Sequence, residues 1–192
     1  MKNILEKLLG GSSRVKLMRL FLFNPHVSFT HQEVSARSKV SSNKLKSELA
    51  FLYNVKLIRK AKKANNKNAW LLNEKFPFLA EFQRLLLETS LLNRTEILKK
   101  ISKAGRVKVL ILTGLFKEIW EGRLDMLIVA ENIKTNSLDT VIKNIEAEVG
   151  REIRYCALDA ADFKYRLGVG DRLIRDVLDY PHEIVLDRIG MF

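Results

Sequence analysis

The sequence predicts a two-domain chain of mixed class, with α+β character in the first half and α/β character in the second. The length of 192 residues allows two small domains, each with its own core. The charge also changes partway, because residues 1–100 hold 20 Lys and Arg against 7 Asp and Glu, whereas residues 101–192 hold 14 against 15. Hydrophobic periodicity then predicts a first domain at 1–75, a helical connector at 76–104 and a second domain at 105–192.

The composition excludes several classes of protein. No apolar run approaches the ~20 residues that span a bilayer, and the N-terminus lacks the features of a signal peptide, so we expect a cytoplasmic protein with no membrane partner. The only cysteine, Cys156, cannot form an intramolecular disulfide, and the three histidines provide no metal-ligand spacing. We therefore expect no metal site and no cofactor, and we interpret Cys156 as a buried structural thiol.

Three short helices are predicted in the first half. The first is an apolar core helix over residues 13–23, ended by an Asn-Pro pair. The second begins at Thr30, because Thr30 and Glu33 have the spacing of a capping box. The third is capped by Ser41 and runs to about Tyr53, with apolar positions at Leu45, Leu49, Leu52 and Tyr53. A tight turn separates the second helix from the third, which is typical of a helix-turn-helix.

The third helix and the segment after it carry candidate residues for binding nucleic acid. Two strands, 57–60 and 69–72, are joined by a basic, Asn-rich tip that predicts a hairpin, because Asn tolerates positive φ and Lys reaches phosphates. Small polar and basic side chains on the exposed helix face are candidates for base edges or nearby phosphates: Ser41, Ser42, Asn43, Lys44 and Ser47, with Lys46 toward the flank. The candidates for phosphate contacts on the hairpin are Lys60, Lys62, Lys63 and Lys67.

The stretch 12–73 resembles the winged helix-turn-helix of bacterial and archaeal transcriptional regulators in its order of helices and hairpin. The resemblance implies binding to double-stranded DNA, with the third helix in the major groove. The alternatives are a solvated helix face and an ordinary surface hairpin that carries lysines. If the resemblance is right, replacing Lys62, Lys63 and Lys67 by Ala weakens binding to every sequence and flattens its salt dependence.

A homodimer is predicted from the apolar surface of the connector. Residues 76–104 form a long helical stretch with a wide apolar stripe, made by Phe78, Phe82, Leu85, Leu86 and Leu92. The amphipathic segment Ile4-Leu5-Leu8-Leu9 can join the same interface, with Gly10-Gly11 as its hinge. Two-fold symmetric regulators need such a contact to read two half-sites. Packing within the monomer is the alternative.

Strand and helix patterns alternate in the second half. They predict helices packed on a small mixed sheet. The predicted strands are 107–112, 125–130, 152–158 and 183–187, and the predicted helices are one whose apolar face includes Leu138 and Ile145, and two short ones at 162–167 and 171–178.

Residues 107–187 resemble the minimal nucleotidyltransferase family, in which an apolar strand ends in Gly-Ser and the next strand carries Asp-x-Asp. The main matching pieces are Leu112-Thr113-Gly114 and, about ten residues later, Leu124-Asp125-Met126-Leu127-Ile128-Val129. Active members hold divalent metal with the paired aspartates. Their Gly-Ser turn brings hydrogen-bond donors to the nucleotide's phosphates.

The sequence departs from that family at the residues that carry the chemistry. Leu115 stands at the serine position, and Arg123 stands where the partner of Asp125 belongs. Glu152 is the only acidic residue on the following strand. Because a guanidinium repels a metal ion, we predict no catalytic residues and a vestigial nucleotide pocket at Gly114, Arg123 and Asp125. Arg123 can pair with Asp125 or contact a phosphate directly.

Together these features predict a DNA-binding transcriptional regulator whose second domain serves sensing or dimerisation. Its partners are double-stranded DNA, a second copy of the chain, and a nucleotide or protein effector. One alternative is a nucleotidyltransferase of the toxin–antitoxin type, acting on a nucleic-acid or protein partner. Another is a protein-interaction module with incidental positive charge.

Overall fold

The structure is a computed structural model that describes residues 2–63, 66–89, 94–117, 119 and 122–192. The chain divides into unit 1, Met1–Leu91 with Lys143–Arg151, and unit 2, Leu92–Ile142 with Glu152–Phe192. The described residues form helices and two β-sheets, so the predicted mixed α and β class is confirmed. In these ranges, no helix combines the length and the apolar character that crossing a membrane requires.

Helices form most of the core of unit 1. The central helix is α2, in which Leu17 and Phe21 are completely buried, and α4 packs against it through an apolar stripe that recurs at three- and four-residue steps. The helices of this unit are α1 (Lys2–Leu8), α2 (Ser12–Leu22), α3 (His31–Ser38), α4 (Ser42–Asn54) and α5 (Leu79–Glu88).

The predicted capping box at the start of α3 is confirmed. The Glu33 N–H donates to Thr30 Oγ1 at 3.3 Å, and the Thr30 N–H donates to the Glu33 carboxylate at 2.8 Å. At the start of α4 the expectation was only partly right. Ser41 occupies the N-cap position with extended backbone, but its side chain accepts no capping hydrogen bond.

The sheet of unit 1 has three antiparallel strands in the order β1-β3-β2, with bounds β1 (Phe29–Thr30), β2 (Ile58–Lys63) and β3 (Lys67–Leu72). The β2–β3 hairpin extends further toward its tip than the sequence predicts, because backbone pairing continues to the polar pair Lys63 and Lys67. Asn66 has φ of 57°, which fits the expectation that Asn supplies the left-handed turn conformation. Residues 64 and 65 of the predicted tip lie outside the described residues.

The predicted connector contains two helices where one long helical stretch was expected. They are α5 and α6 (Arg94–Ile101), and Leu92 of the predicted stripe lies outside the described residues. Pro77 disfavours helical backbone at the residue before it, so α5 begins only after this proline. Helix α6 belongs to unit 2.

Unit 2 contains a four-stranded mixed sheet in the order β6-β5-β4-β7. Its strands are β4 (Arg106–Leu112), β5 (Met126–Glu131), β6 (Tyr155–Leu158) and β7 (Glu183–Asp187), and β5 and β6 pair in parallel. Helix α7 (Thr135–Val149) follows β5, while α8 (Ala160–Gly168) and α9 (Arg172–Asp179) precede β7. Helices α8 and α9 cover one face of the sheet through the buried side chains Phe163, Ile174 and Val177.

The third strand of this half is shorter than predicted. It begins at Tyr155. The Arg154 N–H donates to the Asp125 side chain, and the Arg154 carbonyl accepts from the N–H groups of Asp125 and Met126. Cys156 lies in this strand and is only half-buried, so the expectation of a buried thiol is partly right. Burial raises the pKa of this thiol, which keeps it protonated at neutral pH.

A buried arginine of unit 1 joins α2 to the ends of two other helices. Arg19 of α2 donates to the carbonyls of Thr89 at 3.0 Å and Glu148 at 2.9 Å, so it caps the C-terminal ends of α5 and α7. Burial lowers the pKa of its guanidinium. Gly150 follows α7 with φ of +87°, and a Cβ there would lie 2.6 Å from the backbone carbonyl carbon of Arg19.

Candidate functional site

The polar face of α4 is exposed along its length. Leu45, Leu49 and Leu52 face the core and are buried. The six helix residues predicted to contact nucleic acid are all exposed: Ser41, Ser42, Asn43, Lys44, Lys46 and Ser47. No base or phosphate is present to test their roles, which stay predictions.

Helical geometry separates these residues into two flanks and a centre. At 100° per residue, Lys46 and Tyr53 lie on one flank. The Tyr53 ring contacts the Trp70 ring of β3 at 5.7 Å between centroids, and Lys60 Nζ of β2 lies 5.3 Å from the Tyr53 ring centroid. The flank that carries Lys46 is therefore the one beside the hairpin.

The opposite flank of α4 faces α2. Arg14 of α2 donates to the Glu48 carboxylate at 2.7 Å, and its guanidinium carbon lies 3.6 Å from the centroid of the Phe51 ring. Lys44 lies on this flank. Asn43 and Ser47 lie between the two flanks, at the most outward part of the helix.

The hairpin lysines divide between the two faces of the strand. Lys60 and Lys62 share a face because side chains alternate along β2, and Lys62 Nζ donates to Asn68 Oδ1 at 2.8 Å. Lys63 points to the other face and pairs with Glu33 of α3, with 2.6 Å between Nζ and Oε1. Lys67 is the cross-strand partner of Lys63, so its exposed side chain lies on the same face as Lys63. The structure thus places Lys60 beside Tyr53 of α4 and Lys62 on the same face of β2, whereas Lys63 and Lys67 lie on the other face.

We call these outward side chains the α4–hairpin surface: Ser42, Asn43, Lys46, Ser47, Lys60 and Lys62. It lies in a segment, 12–73, with thirteen Lys and Arg but two Asp and Glu, for a net charge of +11. Both carboxylates, Glu33 and Glu48, are already paired with cations of the segment. The hydrogen bond from Lys63, followed by that from the Thr30 backbone, lowers the pKa of Glu33 to about 2. The segment therefore carries a positive field that its own carboxylates cannot neutralise.

Sequence reasoning missed two members of this region. Tyr53 was assigned to the apolar side of α4 but joins the helix to the hairpin, and its seven-residue spacing from Lys46 was the available signal. His31 lines a cleft of about 570 Å³ together with Lys60, Lys62 and Trp70. The pairing of β1 with β3 brings the start of α3 to the hairpin, and single-sequence patterns do not predict that pairing.

In unit 2, the Asp125 side chain is buried, with 1% of its surface exposed. Its Oδ1 accepts from the Leu115 N–H at 2.8 Å and from Arg154 Nη2 at 2.9 Å. Its Oδ2 accepts from the N–H and the Nε of Arg154, each at 2.9 Å. Four donors thus engage Asp125, the one aspartate of the Asp-x-Asp pattern that this chain retains.

Of the two roles open to Arg123, the structure does not show the pairing with Asp125. Arg123 pairs with Asp176 of α9, with 3.2 Å between Nη1 and Oδ2, whereas Arg154 is the partner of Asp125. Arg154 also donates to the Gly122 carbonyl, and the hydrogen bonds with Asp125 raise the pKa of the Arg154 guanidinium. Sequence reasoning missed Arg154 because 29 residues separate it from Asp125, although a buried Asp needs a partner.

Gly114 is required where the chain leaves β4. Its φ is +49°, and a Cβ there would lie 2.3 Å from Asp125 Oδ1 and 2.5 Å from the Leu124 carbonyl oxygen. Gly114 and Arg123 line a cleft of about 420 Å³, together with Arg172, Asp176 and Tyr180. Of the three residues predicted for a vestigial pocket, two line this cleft, and Asp125 supports the loop behind it.

The donor set does not fit the divalent metal that the nucleotidyltransferase resemblance implies. The Asp125 carboxylate oxygens are occupied by Arg154 and backbone N–H groups. Glu152, the sequence candidate for a third ligand, is exposed and precedes β6. Within the ranges that the structure describes, no three His, Cys, Asp or Glu side chains form a group that could hold a metal.

The two candidate sites are therefore a lysine-bearing surface on unit 1 and a cleft on unit 2 that is lined by Arg123 and Arg172. Comparisons of the chain with protein-family models, with curated proteins and with solved structures found no match.

Proposed function

We propose that this chain is a cytoplasmic transcriptional regulator whose unit 1 binds double-stranded DNA as a winged helix-turn-helix. The observation that carries the proposal is the α4–hairpin surface, a polar helix face beside a lysine-bearing hairpin in a segment of net charge +11. The order α2, β1, α3, α4, β2, β3, with β3 central in its sheet, supports the same interpretation.

The exposed positions on α4 suggest distinct roles in a major groove. Asn43 and Ser47, at the centre of the exposed face, would meet base edges, because amide and hydroxyl groups both donate and accept. Lys46 and Lys44, on the flanks, would meet the two phosphate backbones. Contacts from the hairpin lysines would add affinity and set the register without reading sequence.

The first test is a salt titration of binding to duplex DNA, followed by fluorescence anisotropy. Replacing Lys46, Lys60 and Lys62 together by Ala should flatten the slope of log K against log salt by roughly 2.7, about 0.9 for each lost phosphate contact. The control replaces Lys99, Lys103 and Lys164, which are exposed lysines of unit 2, so that the charge change is equal. Equal effects of the two triple variants would overturn the assignment of the surface.

The second test is selection of bound fragments from random duplex DNA. A regulator should enrich a motif, and Asn43→Ala should relax preference at one base position, at a cost of about 1–3 kcal/mol in discrimination. Enrichment of no motif, with affinity set by net charge alone, would favour the protein-interaction module.

A homodimer is part of the proposal. Several large apolar side chains of α1 and α5 and the turn before α5 are exposed, namely Ile4, Leu8, Phe78 and Leu85, and exposed apolar surface of this kind marks protein contacts. Light scattering should give a dimer mass for the native chain and a monomer mass for Phe78→Asp with Leu85→Asp. If light scattering gives a monomer mass for the native chain at high protein concentration, the homodimer is ruled out.

The nucleotidyltransferase alternative predicts transfer of label from nucleotides in the presence of Mg²⁺ or Mn²⁺. We expect no transfer, because Asp125 has no free oxygen lone pair directed at a metal once its four donors are counted. Transfer that disappears in Asp125→Asn, with folding checked by circular dichroism, would establish the enzyme instead.

A further inference from the structure

The cleft of unit 2 combines two guanidinium groups with apolar walls. Arg123 reaches it from the loop before β5, and Arg172 from the first turn of α9. Leu124, Leu173 and Val177 contribute its apolar lining. A volume of about 420 Å³ is within the range of small-molecule sites.

The charge of the cleft favours a ligand with few negative charges. Asp176 lies one helical turn after Arg172 and pairs with Arg123 at 3.2 Å, so two cations face one carboxylate. The Arg123 side chain is 58% exposed, which leaves it free to exchange Asp176 for an incoming anion. A nucleoside triphosphate would bring several negative charges and a metal ion, and the donors of Asp125 leave that metal no ligand.

We propose that this cleft binds a small organic anion without a metal ion. The ligand carries one carboxylate or phosphate group on an apolar or aromatic body. The anionic group lies between Arg123 and Arg172, where charge-assisted hydrogen bonds are strong. The body lies against Leu124, Leu173 and Val177, beside the Tyr180 ring. The inference concerns unit 2 alone, so it can fail while DNA binding by unit 1 holds, and the reverse.

The test is a titration of the ¹⁵N-labelled full chain, followed by NMR in the presence of EDTA. The probes are benzoate, phenyl phosphate and neutral benzamide. We expect saturable shifts of the Gly114 and Gly122 amides with at least one anion and none with benzamide. Whichever anion binds more tightly identifies carboxylate or phosphate as the recognised group.

Variants assign the effect to the cleft. Arg123→Gln and Arg172→Gln should each weaken binding about tenfold, and Asp176→Asn should tighten it because the competing carboxylate is removed. Arg175→Gln is the matched control, an exposed arginine of the same helix that does not line the cleft.

Three results would overturn the inference. They are no saturable shift up to about 10 mM of either anion, equal binding of benzamide, or the same loss of affinity in Arg175→Gln as in Arg172→Gln. Binding that requires added Mg²⁺ would also contradict it, because the site would then hold a metal.

Discussion

The segment 12–73 and unit 2 use cationic side chains in opposite ways. In the segment, thirteen Lys and Arg face two Asp and Glu, so most positive charge has no carboxylate partner within the segment. In unit 2, arginines pair with carboxylates within the unit: Arg94 with Glu183, Arg123 with Asp176, Arg154 with Asp125 and Arg166 with Asp162. A surface with an excess of positive charge attracts an external polyanion, whereas charges that are paired within a unit are already neutralised there.

The difference also extends to burial. The paired cation at the sheet edge of unit 2 supports a carboxylate that is 1% exposed, while the hairpin lysines of unit 1 are mostly at the surface. Substitution of the paired residues of unit 2 should therefore lower the stability of that unit. Substitution of the hairpin lysines should instead lower the proposed affinity of unit 1 for DNA. Four experiments test this difference between the two regions.

The largest effect is expected from Asp125→Ala. It removes the acceptor of two backbone N–H groups, those of Leu115 and Arg154, and the carboxylate partner of the Arg154 guanidinium. Because each unsatisfied N–H costs about 1–3 kcal/mol, the loss in the free energy of unfolding should be roughly 3 kcal/mol or more. Urea denaturation measures the loss. Asp179→Ala, at an exposed position of α9, should change stability by less than about 0.5 kcal/mol. Equal losses in both variants would contradict a structural role for Asp125.

The next effect is expected from Gly114→Ala. The added methyl group would lie against Asp125 Oδ1 and the Leu124 carbonyl at positive φ, so strain and overpacking together should cost about 2–4 kcal/mol. Gly170→Ala is the matched control, because Gly170 has φ of +67° with no atom within 4 Å of the added Cβ. It should lose only about 1 kcal/mol. Thermal unfolding separates the two, and similar losses would show that contact with Asp125 is unimportant.

A smaller effect separates two neighbouring lysines of the hairpin. Lys62→Ala should reduce the salt slope of DNA binding by about one unit. Lys63→Ala should reduce it by less than half as much, because Lys63 is already held by Glu33 at 2.6 Å. A larger change for Lys63 than for Lys62 would show that the ion pair opens to contact phosphate.

The smallest effect is the pH dependence of the Glu33 contact. Its pKa falls from the ordinary 4.5 to about 2 in the folded chain, so the ionised form favours folding above pH 4.5, and this contribution is lost as the pH falls toward 2. The melting temperature of the native chain should exceed that of Glu33→Gln at pH 6, and the gap should narrow toward pH 2. Glu33 is 42% exposed, so solvent screening keeps the gap small. A gap that widens at low pH would reverse the assigned sign.

Local signals in the sequence predicted much of the fold. The capping box at Thr30 and Glu33 placed α3, and the run of apolar residues at 107–112 placed β4 to within one residue. Both depend on neighbours a few positions apart. The hairpin was predicted too short, because Lys62 and Lys63 carry no apolar alternation and their cross-strand partners, Asn68 and Lys67, are polar as well.

The contacts that sequence reasoning missed join distant parts of the chain. Arg154 lies 29 residues from Asp125, and Asp176, which pairs with Arg123, lies on a helix much later in the chain. The Tyr53 ring of α4 contacts the Trp70 ring of β3, and the two residues come together only in the folded chain. The apolar residues around Asp125 in the sequence indicated that it is buried and needs a cationic partner. They did not indicate which arginine is that partner.

The close approach of Gly150 to Arg19 has an evolutionary consequence. The clash that a methyl group would meet at position 150 is with the backbone of Arg19, with its carbonyl carbon at 2.6 Å and its oxygen at 2.8 Å. No change of side chain at position 19 relieves it. Among homologous chains, we therefore expect glycine to be invariant at 150, even where the guanidinium at 19 has been exchanged and the surrounding loop has diverged.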